Sequence, residues 1–300
     1  MEIQSFYDAR TNTLTYVVYD AKTRDAVIVD PVLDYEPASS KTWTESVDEV
    51  TAFIKGKELK LHYVLETHAH ADHLSGSQIL RLRFPGVQIA IGERITEVQS
   101  VFKTVFDLPE DFPTDGRQFD KLMKDGEVFS AGSIPVKVIS TPGHTPACTV
   151  LEIGGALFTG DVIFMPDQGT GRCDFPAGSA RDLFHSVHKL YNMYGDETPV
   201  YVGHDYQPNG RALAYKTTIG DLKRDSVHIP AARSEEDFVA FRTQRDSTLT
   251  APKLLFQSVQ VNVDAGKLPS PQGNQIRYLR IPINVFRPEP GGDVELRETR

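Results

Sequence analysis

The sequence predicts an α/β protein whose functional side chains lie on the loops that follow its strands. The 300-residue chain is 40% hydrophobic and 24% charged, which is enough to build a core and keep a polar surface. Short apolar runs of strand length recur along the first two thirds, and some are followed by segments with helical periodicity. Histidines and aspartates follow several of these runs, which is where α/β proteins usually place their chemistry.

The first half of the chain is predicted to alternate strands and helices. Apolar runs predict the strands, and the spacing of Ser46 and Glu49, which is that of a capping box, predicts the start of the first helix. A stretch rich in proline, aspartate and glycine at 108–120 predicts a loop. The predicted elements are strands at 13–20, 26–30 and 61–66 and helices at 46–55 and 93–106.

The second half carries two helices that begin with capping patterns. Ser179 with Asp182 opens one of them, and Ser234 opens the other. Beyond residue 250 the prolines predict an irregular tail that packs against the body, and residues 288–300 are expected to be mobile. The first of these helices carries an apolar stripe, predicted to be a core face, formed by Leu183, Val187, Leu190 and Tyr191.

The densest group of polar side chains lies in the loop at 67–76, directly after a predicted strand. Three histidines and one aspartate occur there within six positions. Neutral imidazole and ionised carboxylate are the groups that zinc, iron and related metals bind, so this density predicts a metal site. The four side chains are His68, His70, Asp72 and His73.

Three further candidate ligands follow later strands in a similar setting. His144, Asp161 and His204 each come after an apolar run and a glycine or loop residue. One such residue alone is commonly a satisfied polar group at a strand end, but seven in this pattern favour a metal centre. The other four histidines fit no such pattern and are expected at the surface or in packing roles: His62, His185, His188 and His228.

The complete set of seven residues resembles the metal-binding motif of the metallo-β-lactamase superfamily. The resemblance implies an αββα sandwich with the metal site at one edge of its two sheets. It implies a catalytic core at 1–210 and an appended helical and irregular region at 211–300 that packs on the core. In this superfamily one metal would be held by His68, His70 and His144 and a second by Asp72, His73 and His204, with Asp161 able to bridge the two.

A narrower resemblance is to the persulfide dioxygenases, which have segments similar to those at 169–175, 183–188 and 203–206. Members of that family oxidise glutathione persulfide to sulfite and glutathione, a step of sulfide detoxification, at a single non-haem Fe(II). The resemblance implies that His68, His144 and Asp161 hold one iron and form the catalytic centre. Two histidines and one carboxylate leave open positions for substrate and O2, as in other non-haem Fe(II) oxygenases. The donors left to support these ligands, or to hold a second metal, are His70, Asp72, His73 and His204.

Cys173 departs from the pattern of that family, in which many members carry threonine. A cysteine there is typical of a bacterial branch described as β-lactamase-like hydrolases. The alternative function is therefore a glyoxalase II-type thioesterase, in which a hydroxide between two zinc ions attacks a glutathione thioester. A third alternative is a non-catalytic metal or sulfide sensor, which would turn over neither substrate. Flavin-coupled relatives are disfavoured, because they typically carry glutamate where His70 stands.

Arg172 and Cys173 are candidates for substrate contact. Arg172 could form a two-pronged contact with a carboxylate of glutathione, or a structural ion pair with Asp174. Cys173 could touch a persulfide, although a buried packing role is more common for a free cysteine. Both expectations suit a substrate that bears glutathione, so they do not separate the two enzymatic functions.

Three later residues complete the candidate site. The hydroxyl of Tyr206 could reach the substrate, or its ring could serve packing. Asn262 resembles an asparagine that the family brings to glutathione from a late segment. Asp205 is expected to orient a ligand histidine, because metal-bound histidines usually need a hydrogen-bonded partner.

Composition restricts the classes of binding partner and the cellular compartment that we expect for this protein. The net charge of −9 argues against nucleic-acid binding, where clustered positive charge supplies most of the affinity. Only two cysteines are present, and the chain contains neither an apolar run of about 18 residues nor a start typical of secretory signals. We therefore expect a cytoplasmic protein without membrane contact. Its expected partners are glutathione persulfide and O2, with a homodimer left open.

Overall fold

The computed structural model describes residues 1–285, in which the chain forms fifteen strands and seven α-helices. The mobility predicted for 288–300 lies outside the described residues. The strands are β1 (Glu2–Asp8), β2 (Thr13–Tyr19), β3 (Asp25–Val29), β4 (Val32–Glu36), β5 (Lys41–Trp43), β6 (Lys60–Glu66), β7 (Leu74–Ser75), β8 (Gln88–Gly92), β9 (Lys121–Met123), β10 (Val128–Ala131), β11 (Ile134–Ser140), β12 (Thr149–Ile153), β13 (Ala156–Phe158), β14 (Pro199–Tyr201) and β15 (Lys216–Thr218).

Two six-stranded sheets form the centre of the molecule. The first has the order β1-β2-β3-β6-β8-β9, with parallel pairing from β3 to β9. The second has the order β10-β11-β12-β13-β14-β15 and is antiparallel except for the parallel pair β13–β14. A small third sheet, β5-β4-β7, supports the loop at 67–76. The parallel strands bring their carboxyl ends to common edges, which is where the candidate ligands were expected.

Helices cover the outer faces of both sheets. The alternation along β2 separates the faces: Tyr16 and Val18 belong to the core that also contains the second sheet, whereas Val17 belongs to the core under helices on the other side. The predicted αββα sandwich is thereby confirmed. The helices are α1 (Glu45–Gly56), α2 (Ser77–Arg83), α3 (Ile95–Val105), α4 (Ala180–Met193), α5 (Ile219–Asp225), α6 (Glu235–Thr248) and α7 (Leu255–Asn262).

The helix starts test the capping patterns. At α4 and α6 the hydroxyls of Ser179 and Ser234 each accept a hydrogen bond from the backbone N–H three residues later, as predicted. The capping box at Ser46 is wrong, because the N-cap residue of α1 is Thr44, two positions earlier, and the helix begins at Glu45. Ser46 instead binds Asp34 with both its backbone N–H and its hydroxyl, so a neighbouring strand takes the groups that the cap would have used.

The region beyond residue 210 packs on both faces of the sandwich. β15 extends the second sheet. Side chains of α5 and α6 belong to the same core as those of both sheets and α4, whereas α7 joins the core under α1 and α3. The irregular tail predicted after residue 250 is wrong for 255–262, where α7 forms. All four apolar side chains in this helix are buried or packed against a core, which explains why its short sequence is helical here.

Candidate metal centre

All seven predicted ligands meet at one edge of the sandwich. His68, His144 and Asp161 place one ligand atom each within 4.8 Å of one another, and His70, Asp72 and His73 form a second such group. The first sheet supplies the loop after β6, while the second supplies the residues after β11, β13 and β14. A backbone bridge between Thr13 and His204 joins the two sheets at this edge.

Gly160 allows the loops from the two sheets to approach closely. Its φ is +48°, and a Cβ there would lie 2.4 Å from the hydroxyl of Thr67. Any larger residue would meet both backbone strain and this contact. Glycine at 160 therefore sets Asp161 next to the histidine loop.

The histidines of the first group are fixed by neighbours that define which nitrogen is free. Nδ1 of His144 lies 2.7 Å from the carbonyl oxygen of Arg172, which can only accept, so Nδ1 carries the hydrogen and Nε2 offers its lone pair. The hydroxyl of Thr67 donates to Asp30 and lies 3.1 Å from Nδ1 of His68, which donates to it in turn. Both Nε2 atoms then face Asp161 Oδ2, at 3.9 Å from His68 and 3.5 Å from His144.

His70 is held in the opposite orientation. Its Nε2 lies 3.0 Å from Asp30 Oδ1 and 3.4 Å from Glu66 Oε2, so this nitrogen carries the hydrogen and Nδ1 is directed inward. Burial acts to lower the pKa of His70, but the carboxylates of Asp30 and Glu66 outweigh it and raise the pKa well above its usual value. Two buried carboxylates on one imidazole make Nδ1 a strong electron donor.

His204 connects the two groups. Its Nδ1 lies 3.2 Å from the carbonyl oxygen of Asn12, while Nε2 lies 3.2 Å from Asp161 Oδ1 and 3.4 Å from Asp72 Oδ2. Burial would lower the pKa of His204, but these two carboxylates raise it to about 9. The position between Nε2 and the carboxylates therefore favours a positive charge, either a proton or a metal ion.

The free nitrogens make the residues fit a metal. Within residues 1–285, Nε2 of His68, Nδ1 of His70 and Nε2 of His73 are buried without a hydrogen-bond partner. Burial lowers the pKa of His68 well below its usual value, which keeps it neutral as a ligand must be. Buried polar atoms without partners are costly, and ligation by a metal would relieve that cost at all three. The donor set of imidazoles and carboxylates suits zinc or iron.

Three supporting residues were not predicted from the sequence. Asp30 binds His70 and both the amide and the hydroxyl of Thr67, Glu66 also reaches His70, and the Asn12 carbonyl holds His204. A signal for Asp30 was available, because it lies at the end of the strand predicted at 26–30, close to the position that the candidate ligands take after theirs. Asn12 carried no such signal, since the group that binds His204 is its backbone carbonyl oxygen and not its side chain.

Arg172 and Cys173 lie beside the centre. The guanidinium of Arg172 binds both oxygens of Asp174, at 2.6 and 2.7 Å, and the carbonyl of Thr250, so the structure contains the ion pair that was the alternative expectation. Cys173 is buried, and burial raises the pKa of its thiol far above the usual range. A substrate contact of either residue stays a prediction.

Tyr206 and Asp205 have different environments. The ring of Tyr206 is half exposed and lies stacked 5.6 Å from that of His204, so it forms part of the rim of the centre. The expected role of Asp205 is wrong: its carboxylate binds Arg211, Gln168 and two backbone amides rather than a ligand histidine. It fixes the loop that follows His204, and the carbonyl of Asn12 takes the role of histidine partner.

Asn262 holds the ligand loop rather than a substrate. Its amide donates to the carbonyls of His70 and His73, at 2.9 and 2.8 Å, and its oxygen accepts from the amide of Ser75 at 2.9 Å. The side chain is 4% exposed. Because both amide hydrogens are used and the group is buried, the glutathione contact assigned to Asn262 is replaced by a structural role.

The other histidines lie away from the centre, as expected. His62 pairs with Asp25, His185 is exposed beside Glu235, and the ring of His188 packs against that of Phe184. His228 is buried and accepts a hydrogen bond from the amide of Thr170. Among the described helices, none combines the length and the apolar character that a membrane crossing requires.

Known proteins share this architecture. The model of the metallo-beta-lactamase superfamily matches residues 9–204. Glyoxylase B2 of Dictyostelium discoideum is 44% identical over 95% of this chain and 98% of its own, and the mitochondrial persulfide dioxygenase ETHE1 of Homo sapiens is 33% identical over 68% of each. The crystal structure of ETHE1 from Myxococcus xanthus has a TM-score of 0.70 and 28% identity, covering 89% of this chain and all of that one. The chain therefore belongs to the metallo-β-lactamase superfamily.

Proposed function

We propose that the protein is a persulfide dioxygenase that converts glutathione persulfide, O2 and water to glutathione and sulfite at one Fe(II). The observation that carries the proposal is the group of His68, His144 and Asp161, whose inward-facing atoms form a set of two imidazoles and one carboxylate. Such a set leaves open positions for a substrate sulfur and for dioxygen. The similarity to ETHE1 over two thirds of the chain supports it.

The side chains around the centre have defined tasks in this reaction. When bound, ferrous iron supplies the redox chemistry that permits dioxygen to react with sulfur. Thr67 and the Arg172 carbonyl orient the two histidines, so their lone pairs point inward before a metal arrives. The ring of Tyr206 borders the entrance, where it can contact the thiol carrier. Atoms balance because both oxygens of O2 and one of water end in sulfite, the glutathione thiol keeps its own sulfur and one hydrogen, and two protons are released. O2 accepts the four electrons that the outer sulfur loses.

A dinuclear zinc thioesterase is the second candidate. It is favoured by the second ligand group, His70, Asp72 and His73, and by the similarity to Glyoxylase B2. In that reaction His204 would be a further ligand together with His70, Asp72 and His73, and Asp161, 3.2 Å from its Nε2, would be able to bridge the two ions. The substrate would be a glutathione thioester rather than a persulfide.

The test is a paired assay on protein loaded anaerobically with iron or with zinc. Addition of glutathione persulfide to the iron form should consume oxygen and release sulfite in equal amounts. Absence of oxygen uptake with iron present, together with hydrolysis of S-lactoylglutathione by the zinc form, would replace the proposal by the thioesterase. Turnover of neither substrate would support a metal or sulfide sensor.

A further inference from the structure

We infer that Arg242 and Asp246 of α6 are positioning residues for the metal ligand His144. The two side chains form an ion pair at positions i and i+4, and the residues are 1% and 3% exposed. A fully buried arginine is rare in proteins and needs hydrogen bonds to be tolerated. The partners of this pair lie on the loop that passes beneath His144.

The pair holds that loop at two points. Arg242 donates through Nε to Asp246 Oδ1 at 3.0 Å and through Nη1 to the carbonyl and hydroxyl of Thr170 at 3.3 and 3.4 Å. Asp246 accepts from the amide of Cys173 through Oδ2 at 2.8 Å. The backbone between Thr170 and Cys173 is therefore fixed on both sides of Arg172.

The carbonyl of Arg172 is the group that orients His144. It accepts from Nδ1 at 2.7 Å, and this bond sets both the tautomer and the ring plane that present Nε2 to Asp161. A shift of the loop would move this acceptor without changing any ligand. The ion pair thus acts on the metal position through three groups joined by hydrogen bonds. They are the carboxylate of Asp246, the peptide between Arg172 and Cys173, and the imidazole of His144.

Stability alone does not require charges at these two positions. Replacing a buried ion pair by apolar residues of similar volume is often neutral or stabilising, because both ions lose their hydration when buried. Hydrogen bonds to the 170–173 backbone are what an apolar pair could not supply. The pair also lies outside residues 9–204, so this control of His144 comes from the C-terminal region rather than from the part matched by the superfamily model.

The test uses two matched double variants. Arg242→Met/Asp246→Leu removes the charges and the acceptor for the Cys173 amide, whereas Arg242→Met/Asp246→Asn removes the charges but keeps a side-chain oxygen of nearly the same shape. Loss of an outer partner of a ligand typically weakens metal binding 10–100-fold. We expect a loss in that range, measured as the dissociation constant for Co(II), for the leucine variant. Its Co(II) absorption spectrum should change as well. The asparagine variant should lose less affinity than the leucine variant, because it keeps an acceptor for the Cys173 amide but has lost the hydrogen bonds of Arg242 to Thr170.

Phe238→Leu is the control for a general loosening of α6. This side chain is buried in the core and contacts Phe184, but makes no hydrogen bond to the loop. It should lower the thermal midpoint and leave the Co(II) dissociation constant and spectrum unchanged. If the leucine variant fails to fold, Arg242→Lys, which keeps the charge but lacks the planar fork, should weaken Co(II) binding several-fold.

Native Co(II) affinity and spectrum in the leucine variant would overturn the inference, as would equal losses in the leucine and asparagine variants. If the leucine variant does not fold, native affinity in Arg242→Lys overturns it. All readouts concern the metal and not turnover, so they stand apart from the choice between dioxygenase and thioesterase.

Discussion

At the scale of single residues, the candidate ligands fall into two groups, and the proposed iron site predicts a different effect of mutation in each. Removing Asp161 with Asp161→Ala takes away the carboxylate that faces three histidines, and we expect loss of bound iron and of all activity. His73→Ala should retain much of the iron, since His73 belongs to the other group. Iron content by elemental analysis checks both. Equal loss in the two variants would favour a site with two metals.

His228 links stability to pH at a residue outside the metal centre. Burial, followed by Arg242, Arg245 and Arg233, lowers its pKa to about 3. The folded protein therefore keeps this ring neutral, while the same ring in an unfolded chain takes up a proton near pH 6.5. The contribution of His228 to the free energy of unfolding is thus full above that pH and is lost as the pH falls toward 3.

The asparagine variant His228→Asn, which keeps an acceptor for the Thr170 amide, should remove this dependence. Between pH 6 and 4 the free energy of unfolding should fall more steeply in the native protein than in His228→Asn. The two slopes should differ by about 1.4 kcal/mol per pH unit. Urea unfolding at several pH values measures both slopes. Parallel curves would mean that His228 is protonated in the folded state.

At the scale of elements, α7 is a support for the ligand loop. Asn262→Ala leaves two buried carbonyls and one amide without their partner, which should cost about 2–4 kcal/mol of unfolding free energy and weaken metal binding. Chemical denaturation and metal titration measure the two effects.

Gln260→Ala provides the comparison on the same helix. Its side chain binds Phe256 and the backbone of Arg280, away from the loop. It should lower stability but leave metal affinity unchanged. Equal metal loss in both variants would show that α7 acts only through overall stability.

The sequence predicted the elements with strong local patterns and missed those that depend on distant contacts. The caps at Ser179 and Ser234 depend on groups three residues away, so spacing sufficed. Ser46 has the same spacing, but Asp34 from β4 competes for it. The helix α7 was hidden among prolines because its stability comes from packing against residues far back in the chain.

The residues of the candidate site also divide into those predicted from a local pattern and those whose roles depend on distant contacts. The grouping of the candidate ligands could be predicted, because imidazoles and carboxylates after strands form a local pattern. The roles of Asn262, Asp205 and the Asn12 carbonyl could not, since each depends on which backbone group lies opposite in the folded chain. A side chain's chemistry restricts its partners but does not select among them.

At the scale of the whole molecule, metal binding should stabilise the fold, because the ligands come from both sheets. At a free metal concentration 100 times the dissociation constant, the gain is about 2.7 kcal/mol. The thermal midpoint should rise by roughly 5–10 °C relative to protein in chelator, as measured by calorimetry. Asp161→Ala should show no such rise. An equal midpoint with and without metal in the native protein would mean that the unfolded chain binds metal as well.

The contact between Asn262 and the loop at 67–76 has a consequence for how the protein matures. His70 and Asn262 are 192 residues apart, so the histidine loop leaves the ribosome long before the helix that holds it. At typical rates of synthesis this interval is on the order of 10–40 s. Throughout it, the imidazole-rich segment lacks the hydrogen bonds from Asn262 that fix its final geometry. The candidate metal centre therefore reaches its final geometry only after the chain has been synthesised through Asn262.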